Sequence, residues 1–225
     1  IISAKDAVLN SIGGNVGTSA EDPLKVSVDK LGALGENVWI ENDKDLQIDS
    51  IIGNGDPTNG DGNVDLKVDG DVTGDGDPET DDIIGGDVSI EAEGDIGSED
   101  APLDVESDEI TAKGEDITLN SDSDMVIDEI IGNDVNINTD GNVTDKPDKN
   151  GDSVIADNLE INAGGAIGEE ENPLDVHVPG NLDINAGFGH IYIKNSYFRK
   201  NSDFRTEYDI RHPILDLLLY APDTF

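Results

Sequence analysis

The stretch GAIGEEENPLDV at residues 165–176 has two close relatives in the same chain, GDIGSEDAPLDV at 94–105 and GNVGTSAEDPLKV at 14–26. Each copy contains a glycine, a β-branched residue, a second glycine, an acidic spacer and then Pro-Leu. The spacer varies in sequence and once in length, whereas the glycines and the Pro-Leu pair stay. A ligand site would keep its polar atoms, so we interpret these three segments, called the joints below, as structural turns that lead into a strand.

The joints belong to a long internal repeat. Residues 62–105 align with 133–176 at an offset of 71 (133 − 62), and residues 38–53 align with 117–132 at an offset of 79 (117 − 38). The difference fits one insertion near 54–61 in the first copy. Short β-branched runs separated by polar turns recur within each unit, and no stretch shows helical periodicity.

This pattern predicts an all-β fold, a parallel β-solenoid with three strands in a coil of roughly 24 residues. We expect about three coils per super-repeat of 71–79 residues and roughly eight coils in total. An antiparallel β-sandwich is the alternative, but it would not require equivalent residues at so regular an offset. The repeat region is predicted to span 1–196, and a non-repetitive segment, 197–225, is predicted to cap the solenoid or to dock on another domain.

The composition is strongly acidic, with 52 Asp plus Glu against 13 Lys plus Arg and a formal net charge of −39. Such a chain repels phosphate backbones and anionic headgroups, so nucleic acid and membrane surfaces are not expected partners. The absence of cysteine excludes disulfides and thiol chemistry. No apolar run reaches the roughly 20 residues that span a bilayer, so membrane insertion is not expected.

The order of the repeat resembles that of large secreted bacterial adhesins, the filamentous-haemagglutinin-like exoproteins. The shared elements are Gly-x-[Ile/Val]-Gly, a short spacer, Pro-Leu-x-Val, then Val-x-Ile-x-Asn and Leu-x-Ile, over about residues 10–196. The very acidic turns and the tail from 197 onward depart from that family. The resemblance implies a right-handed parallel β-helix in a secreted or surface-exposed rod used for attachment, without catalytic residues.

One stretch, DVTGDGDPETDD at 71–82, has the oxygen spacing of an EF-hand loop, with Gly76 at its turn. Ca²⁺ takes six to eight hard oxygen ligands, which this spacing would wrap around one ion. Pro78, a final aspartate in place of glutamate and the lack of flanking helices depart from the EF-hand pattern, so a metal-free acidic turn is the alternative. The candidate calcium ligands are Asp71, Thr73, Asp75, Asp77, Glu79 and Asp82.

Aromatic residues are the candidates for a glycan or protein contact. Packing against the solenoid and capping of its end are the alternative roles for them. The candidate contact residues are Trp39, Tyr192, Tyr197 and Phe198.

A polysaccharide lyase or hydrolase on a β-helix would need carboxylates clustered with Arg or Lys, or a close acid pair. The first arginine is Arg199, and the three histidines stand apart without a metal or catalytic motif. We therefore predict no catalytic residue and no enzymatic activity.

Taken together, these features predict a stiff acidic β-helical rod, a structural or adhesive segment of a longer protein at the bacterial surface or outside the cell. Its expected partner is a protein or glycan on a host or neighbouring cell. A calcium-dependent interaction module and, less favoured, a β-helix lyase remain the alternatives.

Overall fold

The computed structural model of the chain describes residues 1–53, 62–77, 80–199, 208–211 and 217–219. The chain divides into two compact units, residues 1–120 and 121–225. In each unit, parallel strands stack as turns of a β-solenoid, and the whole chain has about eight turns. The predicted all-β, parallel solenoid fold is thereby confirmed.

The strands of the first unit are short, because each coil turns a corner every few residues. They are β1 (Ile2–Ser3), β2 (Asp6–Asn10), β3 (Leu24–Ser27), β4 (Lys30–Gly35), β5 (Val38–Asn42), β6 (Leu46–Gly53), β7 (Val64–Val68), β8 (Val72–Thr73), β9 (Ile83–Ala92), β10 (Leu103–Lys113) and β11 (Ile117–Ser121), whose last residue belongs to the second unit.

The second unit continues the pattern with β12 (Met125–Ile131), β13 (Asp134–Thr139), β14 (Val143–Asp145), β15 (Val154–Ile155), β16 (Asn158–Ala163), β17 (Leu174–His177), β18 (Leu182–Ala186), β19 (Ile191–Asn195), β20 (Tyr208–Arg211) and β21 (Leu217–Leu219). A 3₁₀ turn at Ser196–Arg199 is the one helical element among the described residues, which contain no helix long and apolar enough to cross a membrane.

The core consists of ladders in which one apolar side chain lies directly above its counterpart in the next coil. Strands in a sheet are about 4.8 Å apart, so every coil shares its core with both neighbours. This sharing explains how a chain of only 35% hydrophobic residues can bury a continuous core. One ladder of the first unit contains Val16, Val38, Val64, Val88 and Ile110, and a second contains Leu46, Val72, Ile96 and Ile117.

These two ladders show that the interval between the first two joints exceeds the three coils expected for one super-repeat. Three coils lead from Val16 to Val88, with lengths of 22 (38 − 16), 26 (64 − 38) and 24 (88 − 64) residues. The ladder residue of the second joint is Ile96, which lies eight residues beyond Val88 and belongs to the second ladder. The interval between the first two joints is therefore three coils and part of a fourth, and the two joints lie on different faces of the solenoid.

Asparagine and aspartate residues immediately before the apolar ladder positions stitch the coils together. Each side-chain oxygen accepts the backbone N–H of the equivalent residue one coil later, which satisfies a donor that the sheet leaves unpaired at the corner. One such series contains Asn15, Asn37, Asn63 and Asp87, with N···O distances of 3.1, 2.9 and 3.3 Å. A second contains Asp45, Asp71, Asp95 and Asp116, with distances of 3.1, 2.9 and 3.0 Å.

Parallel pairing extends into the segment that was predicted as a cap. β20 pairs in parallel with β18, and β21 pairs in parallel with β19. The remainder of 197–225 lies outside the described residues, apart from the 3₁₀ turn, so the capping role stays a prediction.

Candidate functional site

Each joint is a loop that interrupts a strand. The residues before and after the loop pair with two residues of the next coil that are only two positions apart. In the first joint Val16 pairs with Val38 and Leu24 pairs with Ile40, so the whole loop 17–23 lies opposite Trp39 alone. The same arrangement recurs at the other joints, where the loops 97–102 and 168–173 lie opposite Thr118 and Tyr192 respectively.

The backbone contacts of the three joints are nearly identical. The amides of Trp39, Thr118 and Tyr192 donate to the carbonyls that precede the loops, at 2.8, 2.7 and 2.7 Å. The glycines that open the loops have φ of +91°, +66° and +66°, a region that other residues rarely adopt. A Cβ on Gly168 would lie 2.0 Å from the carbonyl oxygen of Tyr192.

Within each loop two residues three positions apart exchange backbone hydrogen bonds, as in Glu169–Asn172 at 3.0 and 3.2 Å. The spacer acids Glu99, Glu169 and Glu170 are exposed. What the three copies share is thus backbone geometry, while the acidic side chains face water. This arrangement agrees with the interpretation of the motif as a structural joint.

The residues of the predicted calcium loop have other partners within the described structure. The backbone amide of Asp71 donates to Oδ1 of Asp45, and Oδ1 of Asp71 accepts a hydrogen bond from the amide of Asp95 at 2.9 Å. Asp75 Oδ1 accepts from the amide of Asp77 at 2.8 Å. Thr73 is half-buried and pairs through its backbone with Gln47.

Asp82 is the most unusual of these residues, because its side chain is only 1% exposed. Its Oδ1 accepts from the amide of Asp75 at 2.9 Å, and its Oδ2 accepts from the amide of Asp104 at 3.0 Å. Burial raises the pKa of Asp82 to about 6, although both hydrogen bonds act in the opposite direction. The carboxylate links two coils through their backbones.

Glu79 lies outside the described residues. Among those that are described, no three His, Asp or Glu side chains converge in a way that could hold a metal ion. The calcium site therefore stays a prediction, and three of its remaining candidate ligands, Asp71, Asp75 and Asp82, already accept backbone hydrogen bonds.

The aromatic candidates fall into two groups. Trp39 and Tyr192 occupy equivalent positions opposite the first and third joints, and both are half-buried. The ring of Tyr197 packs edge-on against His177, with 5.9 Å between the centroids, and that of Tyr192 lies 5.8 Å from His190. Phe198 lies in the 3₁₀ turn, and its side chain is outside the described structure.

The lysines of the solenoid contact carboxylates on neighbouring coils. Most ion-paired lysines are partly exposed, so each pair contributes little by itself. The pairs are Lys25–Glu41 at 2.6 Å, Lys30–Asp49 at 2.6 Å, Lys44–Asp29 at 2.5 Å, Lys146–Asp128 at 3.1 Å, Lys149–Asp128 at 3.5 Å and Lys194–Asp175 at 2.7 Å.

Strand register places five of the charged residues in one alternating row on the first unit. The row, called the charge ladder below, is Lys25, Glu41, Lys67, Glu91 and Lys113, one residue from each successive coil. Alternating signs on adjacent strands are favourable, and like signs in the same places would be unfavourable.

One polar cluster was not predicted from the sequence. Ser196 Oγ donates to Asp152 Oδ2 at 2.9 Å and lies 2.9 Å from His177 Nδ1. A hydrolytic triad places histidine between serine and the carboxylate, whereas here serine stands in the middle. The cluster thus holds the start of the 3₁₀ turn against β17, and only the folded register brings these three distant positions together.

No family model matches the chain, and no curated protein or solved structure matches it either.

Proposed function

We propose that the chain is a structural and adhesive segment of a secreted or cell-surface protein, whose stiff stacked coils present binding surfaces. The observation that carries the proposal is the use of polar side chains for contacts between coils. The Asn and Asp series satisfy backbone amides, the lysines bridge to acids one coil away, and Asp82 links two backbones. A scaffold that commits its reactive side chains in this way suits mechanical support.

The net charge supports the same proposal. Apart from Lys5, the described lysines lie in ion pairs or in the charge ladder next to acids, so most of the excess negative charge faces solvent. Such a coat keeps a long repetitive protein soluble and apart from other anionic chains. A partner is then expected to be neutral or basic, on the surface of another cell.

An enzyme of the lyase or hydrolase class has less support. Catalysis on an acidic sugar would need free Arg or Lys beside carboxylates in a groove. The lysines of the first unit instead have carboxylate neighbours on the adjacent coil. The calcium-dependent interaction module stays as the alternative and rests on the spacing of residues 71–82 alone.

Localisation and attachment can be tested together. Antibodies against the purified chain should label intact cells of the source organism or detect the chain in the culture medium. Beads coated with the chain should attach to host or neighbouring cells, and beads coated with the heat-unfolded chain should not. Confinement of the chain to the cell interior, or equal attachment of both kinds of beads, would contradict the proposal.

A further inference from the structure

The outward face of the first unit beside the first joint has an aromatic side chain next to an acidic one. Trp39 lies opposite the loop 17–23 and is paired in register with Asp65, which is paired in turn with Ser89. All three side chains alternate with buried neighbours along their strands, so they point outward. Adjacent strands are about 4.8 Å apart, which places the indole and the carboxylate side by side.

Asp65 has an unmet hydrogen-bonding need. Its Oδ1 is shielded from solvent and accepts no hydrogen bond, although buried polar atoms in folded proteins are nearly always paired. Burial also raises the pKa of this carboxyl, and the nearby charges of Glu91 and Glu21 act in the same direction. The Asp65 carboxylate is therefore poorly hydrated, and a hydrogen-bond donor that reaches its other oxygen from outside would stabilise it.

The surrounding charges restrict the class of that donor. Glu21 from the joint loop and Glu91 from the next coil, together with the net charge of −39, disfavour an anion. Lys67 lies close enough to Asp65 to lower the pKa of its carboxyl, so it disfavours an ammonium or guanidinium group. A neutral group with hydroxyl donors and an apolar face satisfies both conditions, because it can stack on the indole and donate to the carboxylate.

We propose that Trp39 and Asp65 form a binding subsite for a neutral pyranose ring of a cell-surface glycan. The ring packs against the half-buried indole, and one of its hydroxyl groups donates to the solvent-facing oxygen of the Asp65 carboxylate. The joint loop forms one wall of the subsite. This inference names a ligand for the proposed adhesive role, and the surface-labelling and bead experiments above test that role independently of it.

The third joint offers a matched control within the same chain. Tyr192 occupies the position equivalent to Trp39 and is also half-buried. Its ring neighbours His190, and its partner in the next coil is Leu218 in place of an aspartate. Tyr192→Ala therefore removes an aromatic ring from a joint without touching an unpaired carboxylate.

The experiment uses neutral oligosaccharides of glucose, galactose, mannose and N-acetylglucosamine, first on an array and then in titration. Trp39 is the only tryptophan of the chain, so a change in intrinsic fluorescence on titration reports on this position alone. Trp39→Ala and Asp65→Ala should weaken binding by about tenfold or more, as expected for a central contact. Trp39→Phe should retain part of the affinity, and Tyr192→Ala should weaken binding less than Trp39→Ala does.

Thermal unfolding of each variant shows whether the fold is kept, and Trp39→Leu and Asp65→Val, which lack the aromatic ring and the acceptor, serve if an alanine variant does not fold. Absence of binding to every neutral oligosaccharide would overturn the proposal. So would unchanged affinity in both the Trp39 and the Asp65 variants. Binding confined to sulfated sugars or to lysine-rich peptides would also overturn it, because the subsite would then have a different ligand class.

Discussion

A Cβ added to Gly74 would lie 2.2 Å from Oδ2 of Asp82. The buried carboxylate thus occupies the space that a side chain at position 74 would need. The two oxygens of Asp82 accept hydrogen bonds from the backbone amides of Asp75 and Asp104. These bonds hold the corner between β8 and β9 against the following coil.

The second copy of the repeat also buries one carboxylate at this corner, but at the position equivalent to Gly74 instead of Asp82. At the offset of 71, Gly74 corresponds to Asp145 and Asp82 corresponds to Ser153. Asp145 is 4% exposed, accepts a hydrogen bond from Ser153 Oγ and accepts the amide of Asp175 at 3.3 Å. Each copy therefore keeps one buried carboxylate and one small partner.

This exchange predicts strong coupling between positions 74 and 82. Asp82→Ser leaves two backbone amides without their acceptor and should lower the free energy of unfolding by about 1–3 kcal/mol. Gly74→Asp buries a second carboxylate against the first and should cost roughly 3 kcal/mol or more. The double variant recreates the pair of the second copy, so urea unfolding should show less destabilisation than the sum by about 1 kcal/mol or more. Additive effects would contradict the exchange.

The raised pKa of Asp82 predicts a pH dependence of stability. The pKa of this carboxyl is about 6 in the folded chain, against an ordinary value of 3.8, so between these values the folded state binds more protons than the unfolded state. Stability contributed by this group is then present at low pH and is lost as pH rises to about 6, by on the order of 3 kcal/mol. Urea unfolding from pH 4 to pH 7 measures this loss.

The comparison variant for this measurement is Asp82→Asn, which cannot ionise. Other carboxylates and the overall charge also change with pH, but they do so equally in both proteins. Between pH 4 and 6 the unfolding free energy should therefore fall less with rising pH in the variant than in the wild type. The difference in slope corresponds to the uptake of up to one proton. Identical slopes would mean that Asp82 does not titrate in this range.

The joints predict a difference between two glycines with almost the same φ. Gly97 opens the second joint at φ +66°, and its Cβ would lie 2.2 Å from the carbonyl oxygen of Thr118; Gly13 has φ +69° and no atom within 4 Å. Gly13→Ala should lose about 1 kcal/mol from its backbone conformation. Gly97→Ala must also displace the next coil and should lose roughly 3 kcal/mol or more. Equal losses in urea unfolding would remove the close approach as the reason for glycine.

The charge ladder predicts a salt-dependent effect at its centre. Lys67→Glu would place three glutamates in a row with Glu41 and Glu91, close to Asp65 and Glu21. The unfolding free energy should fall by about 1–2 kcal/mol at low salt, since like charges on adjacent strands repel. Lys67→Met should lose less. In 1 M NaCl most of the difference between the two variants should vanish, and a difference that survives would point to packing in place of charge.

The calcium hypothesis predicts a shift of the melting temperature with metal. Binding to the folded state alone should stabilise the chain by about 2.7 kcal/mol at a concentration 100 times the dissociation constant. Melting with millimolar CaCl₂ should then exceed melting with EGTA, and Asp75→Asn with Asp77→Asn should remove the difference. An equal amount of MgCl₂ controls for general screening of the acidic surface. Superimposable melts in calcium and EGTA would exclude the site.

Much of the fold could be predicted because it is written in local repetition. Alternating runs such as Val38–Asn42 predict strands, and the offset of 71 between equivalent residues predicts stacking in parallel. The sequence did not show that the interval between joints exceeds three coils, because counting residues does not reveal that Ile96 belongs to a different ladder from Val16. The Asn or Asp before each ladder residue could have indicated the corner hydrogen bonds. The many other acidic residues of the chain make this pattern hard to recognise in the sequence.

By itself, the sequence determined the solenoid, its joints and its acidic surface, because these follow from periodicity and composition at close range. Only the tertiary structure decided which side chains meet across coils. It placed Trp39 beside Asp65, buried Asp82 between two backbone amides and aligned lysines with glutamates in one ladder. These contacts join residues that are about a coil or less apart in the chain. Which positions align depends on the length of each coil, and this length varies from 22 to 26 residues (38 − 16; 64 − 38) in the ladder through Val38.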